Sequence, residues 1–270
     1  MTRPALRPDP APADAGSDRQ TLRLLTYNVQ TGIRSSHFGH YLTRSWQHLF
    51  PHAERPRTLV RLGRLTRGYD LVGLQEVDGG SLRSGFINQT ELVSRTGGFP
   101  YWHDQTNRRI GRLARHSNGF LSRFRPVAIR EHALPGVIPG RGALHVTLGG
   151  TGGDLHVFLL HLALGRKTRA AQLAYVAELA APLVNAVVMG DLNCTAESPE
   201  IRDFVRRSGL HEPTPALPTY PSWRPWRPLD HILVTPSLAV DGIEVLDYAV
   251  SDHLPVAMTV RLPEGLRLLP

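Results

Sequence analysis

The sequence predicts a layered α+β fold built around mixed β-sheets. Three observations predict it. Short apolar runs with strand alternation outnumber runs with helical spacing, the helical runs are scattered among the strands, and neither a repeat nor a linker divides the chain. A barrel of alternating strands and helices would need a helix after nearly every strand. With 270 residues and 41% hydrophobic content, the expectation is one domain over residues 20–270 behind an N-terminal tail, residues 1–19.

Residues 1–19 are rich in Pro, Ala and Asp and carry almost no apolar periodicity, which predicts a disordered tail. "TLRLLTYNV" (21–29) reads as a strand that turns polar at Asn28. "RTLVRLGRLT" spaces Leu59, Leu62 and Leu65 as a helix does. "YDLVGLQEV" (69–77) is a short buried strand ending in Gln75 and Glu76, and "INQTELVSRT" is helical. "YWHDQ", "SNGFLSRF", "VAIREHAL", "ALHVTLG" and "DLHVFLLHLAL" are successive strands. "TRAAQLAYVAELAAPLV" (168–184) is the clearest helix, rich in Ala and Leu, with Thr168 as its expected N-cap. "AVVMGDLN" is a buried strand ending in Asp191 and Asn193, and "PEIRDFVRRSG" a helix closed by Gly209. Strands near 229–235, 243–249 and 253–261 complete the chain.

The formal net charge of +8 points towards anionic partners, nucleic acid or anionic lipid. Lys167 is the only lysine, however, and the dominance of arginine beside abundant Ala, Pro and Gly also reads as the codon bias of a GC-rich genome. Cys194 is the only cysteine, which excludes an intrachain disulfide and suits a reducing compartment. No apolar run is long enough to span a bilayer, and the first twenty residues lack the apolar segment of a signal peptide. A cytoplasmic monomer is expected.

The apolar strands share one oddity: each begins or ends in a polar group that a core would reject. The set is Asn28, Glu76, His161, the pair Asp191 and Asn193, the pair Asp230 and His231, and the pair Asp252 and His253. A carboxylate at the end of a buried strand is costly without a cation or donor beside it. Several carboxylates and amides meeting at one rim would offer oxygen ligands to Mg²⁺ or Mn²⁺, and histidines beside them would move protons. Singly, each has a plainer reading. Asn28 suits a turn, Glu76 a solvated strand end, His161 a satisfied core histidine, "GDLN" a strand-to-turn ending and Asp252 an N-cap. Their recurrence in one layout favours a shared site.

The ordered set "LTYNVQ", "LQEVD", "SNGFLSR", "LLHLAL" with "TRAAQ", "VVMGDLN", "LDHIL" and "SDHLPV" resembles the endonuclease/exonuclease/phosphatase superfamily of deoxyribonuclease I-like hydrolases. The resemblance runs from about residue 21 to 262 and is nearest to a bacterial branch with "TYPS" before the "LDHI" strand. It implies a four-layer α/β/β/α sandwich of two packed mixed sheets, and a Mg²⁺-dependent site, with Mn²⁺ as the alternative, that cleaves phosphoesters with water. Carried over by position, Asn28, Glu76 and Asp252 are the metal contacts. His161 protonates the leaving group or stabilises the transition state, Asp191 orients the attacking water, and Asn193 holds a phosphate oxygen. His253 is the terminal catalytic histidine and Asp230 orients it. Asn118 lies in a segment the family uses near the phosphate. Arg123 is either a phosphate contact or a structural ion-pair partner, and Arg169 with Gln172 braces the His161 loop. His231 must point to the opposite face of its strand from Asp230 and is given a packing role.

Three regions bear on the substrate. Residues 34–57 hold His37, His40, His48 and His52, and over 39–50 form either a core cover or a lid facing lipid. "RRIGRLARH" (108–116) places Arg108, Arg109, Arg112 and Arg115 on a hairpin, where they contact a phosphate backbone or are solvated. "TYPSWRPWRP" (219–228) interleaves Trp223 and Trp226 with Arg224 and Arg227, giving either a stacking pocket with Trp223 and Arg224 on the substrate or a rigid loop. The expected substrate is a small or lipid-linked phosphoester, with DNA or RNA as the alternative. An inactive phosphate-binding module is the reading from another class.

Overall fold

The computed structural model describes residues 19–30, 54–136, 140–213 and 217–270. Residues 1–18 of the expected tail, the lid or cover over 39–50 and the four histidines His37, His40, His48 and His52 lie outside them. In chain order the elements are β1 (Thr21–Asn28), α1 (Glu54–Thr66), β2 (Leu71–Asp78), α2 (Gln89–Gly97), β3 (Tyr101–Ile110), β4 (Ala114–Ser122), β5 (Pro126–Ala133), β6 (Gly142–Thr151) and β7 (Gly153–His161). They continue with α3 (Arg166–Ala180), β8 (Ala186–Asp191), α4 (Pro199–Ser208), β9 (Asp230–Val234), β10 (Ala239–Val245), β11 (Val256–Arg261) and β12 (Arg267–Leu268).

Two six-stranded sheets pack face to face. The first runs β10-β11-β1-β2-β4-β3, and the second β12-β6-β7-β8-β9 with β5 also on β6. β1 with β2 and β7 with β8 are parallel, and each of these pairs needs a crossover, which α1 and α3 supply. The inner faces bury Leu22, Leu24, Phe120, Val157, Leu159, Met189, Ile232 and Met258 against one another. Leu25, Tyr27, Val72 and Leu74 face outward under α1 and α2, while Phe158, Leu160 and Val188 face outward under α3 and α4. Strands buried on both faces read as nearly continuous apolar runs, which is why the sequence shows them so clearly. The result is the expected four layers.

Three local expectations change. Helix α3 starts at Arg166 with Gly165 as N-cap, so Thr168 lies inside its first turn. The bond from Arg169 N–H to the Gly165 carbonyl sets that start. The strand expected at 243–249 is β10, whose register against β11 runs from Ala239↔Arg261 to Val245↔Val256. Asp252 and His253 precede β11 in a turn rather than opening the strand.

Candidate active site

The inward-facing row of each central strand is apolar, Thr26 excepted, up to a polar member at the rim end of the strand. In β1 the row is Leu22, Leu24, Thr26, Asn28; in β7 it is Leu155, Val157, Leu159, His161; in β8, Val187, Met189, Asp191; and in β9, Asp230, Ile232, Val234. β1, β7 and β8 end where β9 begins, because β8 pairs Asp191 with Asp230 and β7 pairs His161 with Asp191. The four polar members therefore meet at one end of the inter-sheet core.

Glu76 reaches the same place by a different device. Val72 and Leu74 face α1 and α2, so simple alternation would send Glu76 to that outer side. Between Leu74↔Gly119 and Val77↔Ser117 the ladder slips by one residue, a β-bulge, and Glu76 takes φ 57°. Val77 returns to the outer core, and the Glu76 carboxylate comes 3.3 Å from Asn28 Nδ2 and 3.8 Å from His161 Nε2. Among the described residues, the non-glycines with positive φ are Gln30, Glu76, Phe86 and Asn193, and three of these four surround this site. Backbone held in that region costs about 1–3 kcal/mol per residue, and such strain concentrates at working sites.

Asp191 is the hub. Its Oδ2 accepts from Asn28 Nδ2 at 3.0 Å, and its Oδ1 from Asn193 N–H at 2.9 Å. His161 Nε2 stands 3.6 Å away and His253 Nε2 3.8 Å away. His253 Nδ1 is 2.7 Å from Asp230 Oδ2, and Thr219 Oγ1 donates to that same oxygen at 2.6 Å. Tyr220 lies against the His253 ring, with ring centroids 5.0 Å apart. Asn193 donates one amide hydrogen to the Leu162 carbonyl. Gln30 N–H donates to Asn28 Oδ1, and Gln30 Nε2 approaches Asp252 Oδ2 at 3.4 Å.

The two histidines are electrically distinct. Burial lowers the His253 pKa, but Asp230, then Asp191, outweigh it and raise the group to about 10. His161 is driven well below its ordinary value by burial and then by the Arg141 guanidinium. At neutral pH His253 is an imidazolium and His161 a neutral imidazole. Burial, against the pull of His253, raises Asp191 to about 6. Burial likewise raises Asp252, with His253 opposing and Glu76 adding to the rise.

Buried carboxylates raised by burial and mutual repulsion are what a divalent cation relieves. Asp191, Asp230 and His253 offer ligand atoms within 4.8 Å of one another. His253, protonated and bonded to Asp230, has no lone pair to give. Oxygens of Glu76, Asp191, Asp252 and Asn28 converge here, each accepting at most part of what its lone pairs allow, and the buried Gln30 Oε1 has no hydrogen-bond partner. This all-oxygen set fits a hard cation of the Mg²⁺ or Mn²⁺ kind.

Other expected residues fall on and off the site. Asn118 lines a cavity of about 590 Å³ that opens beside Glu76 and His161, and its Nδ2 approaches the Gly142 carbonyl at 3.3 Å. Arg123 does not reach the site. β4 runs antiparallel to β2, so residue 123 lies at the far end of the sheet. There its guanidinium donates to the carbonyls of Tyr69 at 2.9 Å and Arg67 at 2.6 Å and stacks 4.8 Å from the Phe99 ring. The loop with Trp223 and Arg224 is pinned beside Asp252: Ser222 N–H donates to the Asp252 carbonyl at 2.7 Å, and Ser222 Oγ to that of Ser251 at 2.6 Å. Trp223 is half-buried and Arg224 exposed. Arg169 donates to the Ala163 and Leu164 carbonyls and Gln172 accepts from Ala163 N–H, so both hold the loop after His161. His231 faces away from the site, between Glu212 and the Cys194 carbonyl. The buried Cys194 thiol is raised to about 11, chiefly by burial. Gln30, Thr219, Tyr220 and Arg141 escaped the sequence reading, since isolated polar residues in loops carry no periodic signal.

The sequence profile of the Endonuclease/Exonuclease/phosphatase family matches residues 25–253. A search of curated proteins finds no match. Among solved structures, an endonuclease/exonuclease/phosphatase from Beutenbergia cavernae is 24% identical with a TM-score of 0.72, over 92% of this chain and 73% of that one. A mannosyl-6-phosphatase from Bacteroides thetaiotaomicron is 18% identical with a TM-score of 0.64, over 88% and 99%. The catalytic domain of human Nocturnin is 17% identical with a TM-score of 0.65, over 90% and 97%. These likenesses show a shared fold. No helix among the described residues is long and apolar enough to cross a membrane.

Proposed function

The chain belongs to the endonuclease/exonuclease/phosphatase family, and on that footing we propose that it hydrolyses a phosphoester by in-line attack of water at the rim where Asp191 meets His161 and His253. One observation carries the reading: a buried carboxylate lies between a neutral and a charged imidazole, beside further carboxylates that ask for a cation. Phosphoryl transfer needs placement and charge stabilisation more than covalent chemistry, and this layout supplies both.

Mg²⁺, with Mn²⁺ as the alternative, would be held by Glu76 with Asn28 and Asp252 and would neutralise charge on a non-bridging oxygen. The chain's own groups do the rest. Asp191, fixed by Asn28 and by the Asn193 N–H, is the acceptor that aligns the water. His253, kept charged by Asp230, donates from Nε2 to a phosphoryl oxygen as negative charge builds. His161 Nε2 faces the carboxylates of Glu76 and Asp191 and orders the opposite side. Asn193 and Asn118 offer amide hydrogens to the phosphate, and Trp223 with Arg224 contacts the rest of the substrate.

The family joins phosphatases and nucleases, and one neighbour named above is a phosphatase. The walled cavity beside Glu76 favours a small or lipid-linked phosphoester. Nucleic acid is the second reading, favoured by the four arginines of the β3–β4 hairpin. The test is Mg²⁺-dependent release of nitrophenol from bis(p-nitrophenyl) phosphate by the wild type, Asp191→Ala and His253→Ala. Activity without metal, or full activity in both variants, would end the reading. Plasmid DNA, RNA, phospholipids and sugar phosphates assayed side by side then choose the substrate.

A further inference from the structure

We propose that the cavity beside Glu76 and His161 is a subsite for a second anionic group of the substrate, gripped by Arg141 with help from Arg108. The inference rests on the hydrolase reading and narrows its substrate to a phosphoester carrying another phosphate or carboxylate.

The first argument is size. The cavity holds about 590 Å³. A water takes up about 30 Å³ in the liquid, so one phosphate tetrahedron would leave most of that space unfilled.

The second argument is the chemistry of the wall. Among the described lining residues Glu76 is the only acid, and it sits on the side where reaction is proposed. Arg108 and Arg141 are the cations, and Asn107, Asn118 and Thr168 add neutral donors. His116, lowered to about 4 by burial and then by Arg83, contributes no charge at neutral pH. Arg141 lies near enough to Glu76 and Asp191 to feel both carboxylates, and the lining around it and Arg108 is rich in hydrogen-bond donors.

The third argument is Arg141 itself. The buried guanidiniums of Arg83 and Arg169 are tied, Arg83 to Asp78 and Arg169 to Glu200 and two carbonyls. The half-buried Arg141 makes no side-chain hydrogen bond or ion pair among the described residues. Its backbone, by contrast, is fixed. The Arg141 carbonyl accepts from Leu134 N–H, and Asn118 Nδ2 reaches the next carbonyl, Gly142. A Cβ on Gly142 would lie 2.1 Å from Asn107 Oδ1, and one on Gly140 3.0 Å from Arg108 Cβ, so this segment is pressed against β3 beside Arg108. A fixed backbone with a partly desolvated guanidinium, favoured by Glu76 and Asp191 through space but bonded to neither, has its hydrogen-bond donors open to an external anion. The planar fork suits two oxygens of a phosphate or carboxylate.

The test uses the full chain with Mg²⁺ in large excess and calorimetric binding of two probes. Propylphosphonate carries one anionic group, and propylene-1,3-diphosphonate carries two. The wild type should bind the two-headed probe about tenfold tighter or more. Arg141→Met should bring the two affinities within about threefold, and Arg141→Lys should keep part of the preference. Equal affinities in the wild type would overturn the subsite. So would an equal loss for both probes in Arg141→Met, because that would place Arg141 on the scissile phosphate. If Arg141→Met does not fold, Arg108→Met on the same wall must show a reduced preference, and an unchanged one overturns the proposal. Hydrolysis is not read here, so failure of the proposed reaction leaves this outcome interpretable.

Discussion

His253 Nδ1 and Asp230 Oδ2 stand 2.7 Å apart, and this pair joins the turn before β11 to the first residue of β9 in the other sheet. Asp230 also accepts from Thr219, so its carboxylate is held from two sides. Asp230→Asn removes the charge that favours the His253 imidazolium. Activity should fall by about 10²-fold or more, the usual weight of a positioned proton-transfer group. His253 should also titrate at lower pH, which moves the alkaline limb of the pH–rate profile towards acid. An alkaline limb that stays in place would separate Asp230 from the charge state of His253.

Glu76→Gln preserves side-chain size and the bulged backbone while removing one carboxylate charge from the oxygen set. The Mg²⁺ concentration for half-maximal activity should rise by about tenfold or more, with the melting temperature little changed. Titration of activity against Mg²⁺ decides it, and an unchanged midpoint would place the cation elsewhere.

Gly190 precedes Asp191 with φ 141°, and a Cβ there would lie 2.0 Å from the Leu160 carbonyl oxygen of β7. Backbone strain and a clash with fixed backbone add, so Gly190→Ala should destabilise by about 2–5 kcal/mol. Urea unfolding measures it. A loss under about 0.5 kcal/mol would mean that the β7–β8 ladder yields more easily than its register implies.

Arg123→Ala tests the relocation of that residue. Its guanidinium clamps carbonyls of Arg67 and Tyr69 far from the site. Stability should drop by about 1–2 kcal/mol through the lost charge-assisted bonds, while kcat/KM stays within about twofold. A large rise in KM at unchanged stability would restore it to the substrate.

His145 stacks on Phe158, with ring centroids 4.1 Å apart, and its Nε2 lies 3.1 Å from His156 Nδ1. Burial, then His156, lowers it to about 4. The unfolded chain, whose histidines titrate near about 6.5, therefore binds a proton that the folded protein does not. Stability from this group is intact above that value and declines as pH falls from about 6.5 towards 4. Urea melts at pH values on either side should show a shallower decline in His145→Gln than in the wild type. Identical slopes would mean the group is not held neutral.

Much of the site was legible because alternation is rigid. Once Leu155, Val157 and Leu159 face inward, His161 must too, and the same logic places Asn28, Asp191 and Asp230. Glu76 breaks that logic. Its neighbours Val72 and Leu74 point outward, and only a bulge, set by pairing with a strand more than forty residues on, turns its carboxylate inward. Strand direction was equally hidden. Asn118 and Arg123 belong to one motif, yet five residues of extended chain put about 16 Å between them, so one lies by the site and the other at the opposite end. Thr219 and Tyr220 reach His253 through tertiary contacts that no local pattern announces.

The close approach at Gly73 gives the sandwich the character of a caliper. A Cβ on Gly73 would lie 2.5 Å from Leu159 Cδ1 and 2.9 Å from Met189 Cε, so the gap between the jaws is set there by a missing side chain. One jaw carries Asn28 and Glu76, the other His161, Asp191 and Asp230, and the bonds Asn28–Asp191 and His253–Asp230 span the opening. Any change that pries the jaws apart, at a position with no polar atom near the rim, is registered first as a loosened grip at the tips. Turnover is then the finest gauge of core packing in this protein, failing while its circular dichroism still looks native.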